Sequence, residues 1–444
     1  MTSLRRAPSG PLVDLATGEQ DAGLQTAWAI DPLTGDDGGP GTPAAPLRTM
    51  EEFNARYQGV LVKVASTLQL AGDVVDTAFM PQGVTFGFGA SLVVSGTRAA
   101  VTSDVAVTSV AQHGNLGSGF PFELTTTGVD WLTQPPTAKL VVTSSATAAS
   151  VGAFGWILSL TDALNVASSS KVMVGQFTST TGGLVTPQAG DVLGLDTLSP
   201  ALPPQVLINA LHIGGPGSTS CSLTFRDLSF DGNLSQQYSG NVLSNVFGCE
   251  IVGGANAQQV LRVNTTLFLT GCRFTANNLM RFVGGPICNI TNSVFASATT
   301  ALTNLAVFAG GAYFLSRCAF NNVPMRINSK SNVSNSALNF RNTKQPIGMD
   351  EFSSLYSTGI VAGSVGNTDS GSRIDRGSGW TWFGAANKPT VLGGTPGTDD
   401  MRIGGTSLSY ATVGTGYYAL FNNANPNTVL NLVGPGGGSW AAQG

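Results

Sequence analysis

FRDLSF (225–230), VFGCEI (246–251), LTGCRF (269–274), ITNSVF (290–295), LSRCAF (315–320) and VSNSAL (333–338) are six segments that align without gaps. Their first residues lie 21, 23, 21, 25 and 18 positions apart (246−225, 269−246, 290−269, 315−290, 333−315). Each segment is apolar at its first and sixth positions and has Leu, Cys or Ser at its fourth. Such strands cannot bury their apolar side chains alone, but coils stacked about 4.8 Å apart place like residues above one another. The repeat therefore predicts an all-β fold, a right-handed parallel β-helix.

Two columns of interior side chains follow from this alignment. The sixth positions predict one column, made of Phe230, Ile251, Phe274, Phe295, Phe320 and Leu338. The fourth positions predict a second, made of Leu228, Cys249, Cys272, Ser293, Cys318 and Ser336. Because Leu and Ser share the second column, its cysteines are interpreted as small buried fillers with free thiols. A metal or redox cluster is the alternative interpretation, and no cofactor is predicted.

Composition favours the same fold and excludes several functions. Only 10% of the residues are charged while Gly occupies 57 positions, which suits a β-rich protein with many tight turns. A net charge of −4 disfavours nucleic-acid binding, which needs a dense basic surface. No run of eighteen apolar residues predicts a membrane span. The first twenty residues lack the apolar core of a secretory signal.

The stretch from 31 to 53, DPLTGDDGGPGTPAAPLRTMEEF, is similar to the entry motif of pectin-lyase-like β-helix proteins. In that family an Asp/Gly-rich turn, a Gly-Thr and a Pro-x-x-Thr precede a short helix that caps the first coil. Asp36, Gly41, Thr42, Pro46 and Thr49 match this pattern. The resemblance implies a fold rather than a reaction. From the residues themselves, Thr49 and Glu52 have the spacing of a capping box, which predicts a helix from Thr49 through Tyr57.

Five segments are expected along the chain. They are an extended N-terminal segment (1–30), the cap motif and first coils (31–112), irregular coils or an inserted β-module (113–215), the regular β-helix (216–345) and a β-rich C-terminal tip (346–444).

This layout resembles that of bacteriophage tail spikes and tail fibres. The resemblance implies a structural and adhesive virion appendage that is a homotrimer. It also implies that residues 1–30 are a virion-attachment segment bound to other tail proteins, and that residues 346–444 are a tip or trimerisation region. It also implies contact with host surface polysaccharide, location in the virion tail and release by lysis. The alternative is a tail-spike depolymerase, a glycoside hydrolase or lyase. A third class is a secreted carbohydrate enzyme or adhesin of a cellular organism.

The distribution of acidic residues limits where catalysis could occur. Hydrolysis of a glycosidic bond usually requires two carboxyl groups, yet residues 251–349 contain no Asp or Glu. The remaining candidates are Asp227, Asp231 and Glu250, and we expect Asp227 and Glu250 to be exposed on neighbouring coils. The alternative is that Asp231 begins a turn while the other two are solvated surface groups, paired with Arg226 or Arg273.

Two further groups of residues are candidates for binding. Residues 251–349 hold eight Arg or Lys, which form either a positive stripe for an acidic polysaccharide or another virion protein, or solvated outer faces. Trp380, Trp382, Tyr417 and Tyr418 could stack on sugars, or else belong to a core or a trimer interface. No metal site is predicted.

Overall fold

The architecture is that of a computed structural model. It describes residues 4–6, 12–14, 25–57, 61–62, 65–71, 85–86, 91–113, 120–163, 166–199, 201–202, 221–231, 242–252, 259–262, 266–275, 280–297, 306–323, 325–328, 331–341, 347–349, 354–357, 360–363, 380–382, 418–420, 431–433 and 439–441.

A parallel β-helix, here called the shaft, forms the main body of the protein. Its strands are Ala27–Ile30, Ala65–Leu70, Ser91–Ser95, Ala201–Leu202, Cys221–Arg226, Ser229–Asp231, Val242–Phe247, Glu250–Val252, Gln259–Arg262, Thr266–Thr270, Arg273–Thr275, Met280–Thr291, Val294–Ala296, Ala306–Asn321, Met325–Asn328, Asn332–Arg341, Ile347–Met349, Ser354–Ser357, Ile360–Gly363 and Trp380–Trp382. All pairings among these strands for which a register is defined are parallel, from Ala27–Ile30 on Thr67–Leu70 to Ile360–Ala362 on Trp380–Trp382. The fold predicted from the six segments is confirmed.

The shaft interior contains the first predicted column. Phe274 stacks on Phe295 and Phe295 on Phe320, with ring centroids 4.5 and 4.4 Å apart. The next ring in the stack is Phe340, 4.5 Å from Phe320. Each of these rings is almost completely buried, so the stack contributes apolar burial together with favourable ring contacts.

The register predicted for the last coil is wrong by two residues. Leu315 pairs with Asn335, and Cys318 and Phe320 pair with Leu338 and Phe340. Leu338 therefore belongs to the cysteine column, and Phe340 belongs to the phenylalanine column. The shift leaves the apolar residues Val333 and Leu338 buried, which is why the apolar pattern did not expose the error. It moves Ser336 from the predicted interior column to a pairing with Ser316 of the outer face.

The second column is also interior. Cys249, Cys272 and Cys318 are fully buried, and none of them forms a disulfide. Each thiol lies near the backbone carbonyl of a residue one coil earlier, at 3.3 Å for Cys272 and Val246. Burial raises the pKa of the Cys272 and Cys318 thiols to about 12. The interpretation of these residues as small buried fillers with free thiols is confirmed.

A short helix, Met50–Tyr57, lies beside the first coil. The backbone N–H of Glu52 donates to Thr49 Oγ1 at 3.2 Å, as expected at a helix N-terminus. Asp37 also accepts the backbone N–H groups of Arg48 and Thr49, both at 2.9 Å. The ring of Phe53 contacts Trp28 of the first strand edge to face, with centroids 5.8 Å apart. That this helix caps the shaft stays a prediction.

An antiparallel module, here called the insert, interrupts the shaft between Ser95 and Ala201. Its strands are Thr97–Gln112, Phe122–Thr127, Lys139–Ser144, Phe154–Ser159, Lys171–Val174, Phe177–Thr178, Leu184–Val185 and Val192–Ser199. Two 3₁₀ turns, Trp131–Thr133 and Ala148–Ser150, connect some of them. In the next coil of the shaft, residues 227 and 228 alone make the corresponding connection.

Six strands of the insert pair in a closed ring. Lys139–Ser144 pairs with both Val192–Ser199 and Phe154–Ser159, and the ring continues through Thr97–Gln112, Phe122–Thr127 and Lys171–Val174. The insert is therefore a small barrel, and closure leaves these six strands without a free edge. Its apolar core reaches the shaft, because Val294, Ala296 and Ala319 belong to the same buried cluster.

Parallel pairing on the shaft continues beyond residue 345, through Ile347–Met349, Ser354–Ser357, Ile360–Gly363 and Trp380–Trp382. Three smaller sheets complete the described structure. They are formed by Leu4–Arg6 with Leu12–Asp14, by Leu61–Val62 with Thr85–Phe86, and by Tyr418–Leu420, Asn431–Val433 and Ser439–Ala441.

Candidate functional site

A column of residues with left-handed backbone conformation marks the bend of the shaft that faces the insert. The third residue of five repeated segments has a positive φ; these residues are Asp227, Gly248, Gly271, Asn292 and Arg317, with φ between 52° and 62°. Gly, Asn and Asp tolerate this conformation better than other residues. The backbone therefore bends sharply at the same place in successive coils.

Two glycines of this column allow the insert to approach closely. A methyl group built on Gly248 would lie 2.6 Å from Lys139 Nζ, and one on Gly271 would lie 2.7 Å from the Phe154 ring. Real Cβ atoms essentially never approach so closely, so a larger residue at either position would require the Lys139 ammonium or the Phe154 ring to move. Lys139 itself is 1% exposed, and its ammonium lies 4.0 Å from the centroid of the Phe154 ring.

Polar contacts continue along the junction between insert and shaft. Trp156 Nε1 donates to the carbonyl of Gly271 at 2.7 Å, and Arg273 donates to the carbonyl of Ile157. Further along, Arg341 donates to the carbonyls of Asp162 and Ala163, both at 3.1 Å. The insert thus contacts the shaft from Asp227 to Arg341, which spans several coils.

Asp227 lies at this junction and is paired. Its carboxylate accepts from Lys139 Nζ, which also donates to the carbonyl of Gly248 at 3.0 Å. The side chain of Asp227 is 33% exposed. Burial lowers the pKa of Lys139, while the Asp227 carboxylate opposes that shift. Asp227 therefore holds the insert on the shaft through an ion pair.

Glu250 is buried rather than exposed, which corrects the expectation from sequence. It is 7% exposed, and its Oε1 lies 3.6 Å from Arg273 Nε and 3.4 Å from Thr275 Oγ1. The pair with Arg273 that the alternative interpretation named is present, but Glu250 is not the solvated surface group that this interpretation described. Burial raises the pKa of its carboxyl group, and Arg273 partly offsets the effect. A raised pKa suits a general acid, but a side chain this deeply buried is poorly placed to touch a polymeric sugar.

The two carboxylates also occupy different columns. Asp227 aligns with Gly248, whereas Glu250 aligns with Ser229. Each therefore has its own cation and its own position around the coil, and the structure does not bring them together as an exposed pair. Asp231 ends the strand Ser229–Asp231 and pairs with Val252.

The C-terminal aromatic residues are less informative about a site. Trp380 and Trp382 lie on a strand that pairs in parallel with Ile360–Ala362. Tyr418 begins a strand of the three-stranded antiparallel sheet, and Tyr417 lies outside the described residues. Their contribution to sugar binding stays a prediction.

The described basic side chains of the 251–349 window differ in burial and in the groups that they contact. Arg273 and Arg341 are 4% and 9% exposed and hold the insert, so they are neither a free stripe nor a solvated face. Burial lowers the pKa of each to about 10. Arg317 is half-buried and donates to Ser316 Oγ at 3.3 Å.

The outer face of the shaft beside the insert presents a different arrangement. One column of outward residues, here called the edge column, consists of Arg226, Phe247, Thr270, Thr291 and Ser316. A parallel column consists of Thr224, Asn245, Phe268, Asn289 and Phe314. The members of both are partly or well exposed, and Phe314 is 45% exposed. Hydroxyls, amides and aromatic rings thus repeat at the spacing of the coils.

The insert borders the edge column on one side. A methyl group built on Gly182, in the turn 179–183, would lie 3.9 Å from Phe247 and 4.0 Å from Thr270. The ring of Phe247 also contacts Phe154 of the insert edge to face, with centroids 5.3 Å apart. The turn 179–183 and the two outward columns together form the candidate binding surface, here called the corner.

Sequence reasoning missed both the Lys139 partner and this surface. The edge column could have been predicted from the sequence, because its residues occupy the second position of the first five aligned segments: R, F, T, T and S. Lys139 carried no comparable signal, because it lies 88 residues before Asp227.

In the part of the chain that the structure describes, no three His, Cys, Asp or Glu residues are grouped as metal ligands. Within the same residues, no helix has the length and apolar character needed to cross a membrane.

Comparison with known proteins gives few matches. No family model matches the chain, and no curated protein does. Among solved structures, the chain is similar to the Gp54 tailspike of Acinetobacter baumannii bacteriophage AP22, solved in complex with A. baumannii capsular saccharide. Identity is 10% and the TM-score is 0.21, over 76% of this chain and 63% of that one. It is also similar to the tailspike protein gp49 from Pseudomonas phage LKA1, with 11% identity and a TM-score of 0.19, over 78% of this chain and 71% of that one.

TM-scores this low do not support a conclusion about function, and the fold is assigned from the strand pairings alone. By those pairings the chain is a parallel β-helix protein with an inserted antiparallel barrel.

Proposed function

We propose that this protein is a structural and adhesive appendage of a phage virion, a tail spike or tail fibre, whose shaft binds polysaccharide on the host surface. The observation that carries the proposal is the corner formed by the insert and the two outward columns. Aromatic rings, amides and hydroxyls recur there along one direction, which suits a polymer with a repeating unit. Aromatic faces bury the apolar faces of sugars, and the polar groups exchange hydrogen bonds with sugar hydroxyls.

The shaft supports an appendage because its coils are joined by continuous backbone ladders and by a stacked interior. Stacked coils give an extended and stiff body whose length grows with the number of coils. The proposal includes a homotrimer, attachment to tail proteins through the N-terminal segment, location in the virion tail and release by lysis. The segment boundaries predicted from sequence and the sugar-binding tryptophans are part of the same proposal.

Adhesion without cleavage is favoured over depolymerisation by the state of the two best carboxylates. Asp227 is neutralised by Lys139, and Glu250 is buried against Arg273. A glycosidase needs two carboxyl groups on either side of the scissile bond, both open to the substrate. The described residues of the corner provide no such pair.

The test is binding to an array of purified bacterial capsular polysaccharides and lipopolysaccharide O-chains. We expect the intact protein to bind at least one polymer, and Phe314→Ala to weaken that binding by about tenfold, which corresponds to the loss of one stacked aromatic contact of ~1.4 kcal/mol. Leu33→Ala is the matched control, because Leu33 is 88% exposed and lies beside the first coil. Absence of binding to every polymer would overturn the proposal.

Turnover is followed in the same samples by reducing ends and by ultraviolet absorbance of unsaturated products. We expect neither to appear. Steady release of products that stops in Glu250→Gln, while the variant keeps its fold, would replace adhesion with depolymerisation as the function.

A further inference from the structure

The shaft face beside the insert is short of negative charge. Residues 251–349 contain no Asp or Glu, and residues 221–250 contain three, Asp227, Asp231 and Glu250. Two of these three are paired with Lys139 and Arg273. The insert segments at the corner, 145–156 and 176–185, contain no acidic residue either. A free carboxylate is therefore scarce on the candidate surface.

Positive charge is present at both ends of the edge column. At one end the guanidinium of Arg226 lies over the Phe247 ring, 4.6 Å from its centroid. At the other end Arg317 donates to Ser316 Oγ at 3.3 Å. Both side chains are partly exposed, and neither forms a salt bridge with any described residue.

The two arginines are separated by the neutral side chains of Phe247, Thr270, Thr291 and Ser316. Arg226 and Ser316 stand four coils apart, roughly 19 Å at a strand spacing of ~4.8 Å. Between them the hydroxyls of Thr291 and Thr270 are hydrogen-bonded at 3.2 Å. The stack on Phe247 and the bond to Ser316 hold the guanidinium groups near the column, which lowers the entropy lost when an anion binds.

Resting on the proposed function, we propose that the polysaccharide bound at this corner is acidic, carrying carboxylate or phosphate groups that meet Arg226 and Arg317. Guanidinium groups bind both kinds of anion through paired hydrogen bonds. Apart from Arg273, which is paired with Glu250, the basic residues of the 251–349 window add a long-range attraction for the same class of polymer.

The experiment uses the intact protein and the polysaccharide array in three forms. The forms are native polymers, polymers whose uronic acids have been reduced to neutral hexoses, and polymers dephosphorylated with hydrofluoric acid. We expect binding to native acidic polymers, and its loss in one of the two treated forms, which identifies the anion. Binding should also weaken as salt rises from 50 to 500 mM, because ions screen exposed charges.

Variants connect the effect to the corner. Arg226→Gln and Arg317→Asn should each weaken binding by about tenfold, the expected loss of a charge-assisted hydrogen bond. Asn is chosen because Asn292 occupies the same left-handed column with a φ of 53°. Arg226→Lys should keep most of the salt-dependent attraction. Arg48→Gln, which removes the same charge from the N-terminal loop, should change nothing.

The outcomes separate this inference from the proposed function. Equal binding to native, reduced and dephosphorylated forms would overturn the acidic ligand and leave adhesion standing. Unchanged affinity in Arg226→Gln and Arg317→Asn would also overturn it. Failure to bind any polymer in any form would overturn adhesion itself.

Discussion

Removing Asp227 from its ion pair with Lys139 should destabilise the junction between insert and shaft more than removing Lys139. Asp227→Asn leaves the ammonium of Lys139, which is 1% exposed, without its carboxylate. Lys139→Met leaves a carboxylate that is 33% exposed and can be hydrated in place. Breaking a buried pair costs roughly 3–5 kcal/mol when the remaining charge stays desolvated. We expect that range for Asp227→Asn.

Lys139→Met should cost less, about 1–3 kcal/mol. The carbonyl of Gly248 loses a hydrogen bond, and the favourable contact between the ammonium and the Phe154 ring disappears. The double variant should cost less than the sum of the two single variants, because neither isolated charge is left behind. Asn is the right replacement, since it keeps the left-handed backbone that Asn292 adopts in the same column.

The assay must report on the junction rather than on the whole chain, because a large β-helix need not unfold reversibly in two states. Native-state hydrogen exchange of peptides that include Trp156 and Gly271, whose bond spans the junction at 2.7 Å, gives the opening free energy there. An effect of Lys139→Met equal to or larger than that of Asp227→Asn would refute the reasoning. The same comparison also shows whether any loss of function in Asp227→Asn arises from a displaced insert.

Three further outcomes follow from the interior of the protein. Cys249, Cys272 and Cys318 should not react with iodoacetamide at pH 8 until the chain unfolds, because burial raises the pKa of all three thiols; rapid labelling of any of these three in native protein, located by peptide mass mapping, would contradict this. Replacing Phe320 by Ala should destabilise the shaft by roughly 3–5 kcal/mol, through lost burial and a cavity between two stacked rings, measured by hydrogen exchange of the adjacent coils. The pKa of His113 is lowered from 6.5 mainly by burial, so the folded state binds this proton more weakly than the unfolded state; stability should fall as pH drops below about 6.5, and His113→Gln should remove that component of the pH profile.

The shaft could be predicted because its information is local and repeated. Each coil carries the same inward positions, so five of the six segments aligned correctly without any knowledge of their partners. The sixth segment was misaligned because moving VSNSAL by two residues still leaves Val333 and Leu338 buried. The two registers differ in the ring that stacks on Phe320, which is Phe340 rather than Leu338, and in Ser336, which pairs with Ser316 of the outer face.

The junction could not be predicted, because its contacts join residues far apart in the chain. Lys139 meets Asp227 across 88 residues, and Arg341 meets Asp162 across 179. No periodic pattern connects such pairs. For the region 113–215 the sequence left irregular coils and an inserted module open as alternatives, because a single strand of alternating residues does not reveal whether its neighbour runs parallel or antiparallel.

The burial of charge at this junction explains why Asp227 and Glu250, two of the candidate carboxylates of the sequence, lie between the insert and the shaft rather than on the open outer face. Only 10% of the residues of the chain are charged. Between residues 225 and 341, several of the charged side chains help to hold the insert: Asp227 pairs with Lys139, Arg273 pairs with Glu250, and Arg341 donates to two carbonyls. Buried groups of this kind hold their geometry because an unpaired charge would be costly. The neutral side chains of the edge column are what the docked insert leaves open beside it. The face left open beside the insert therefore carries mostly neutral side chains, and the proposed selection of an acidic polymer rests on Arg226 and Arg317 at the two ends of the edge column.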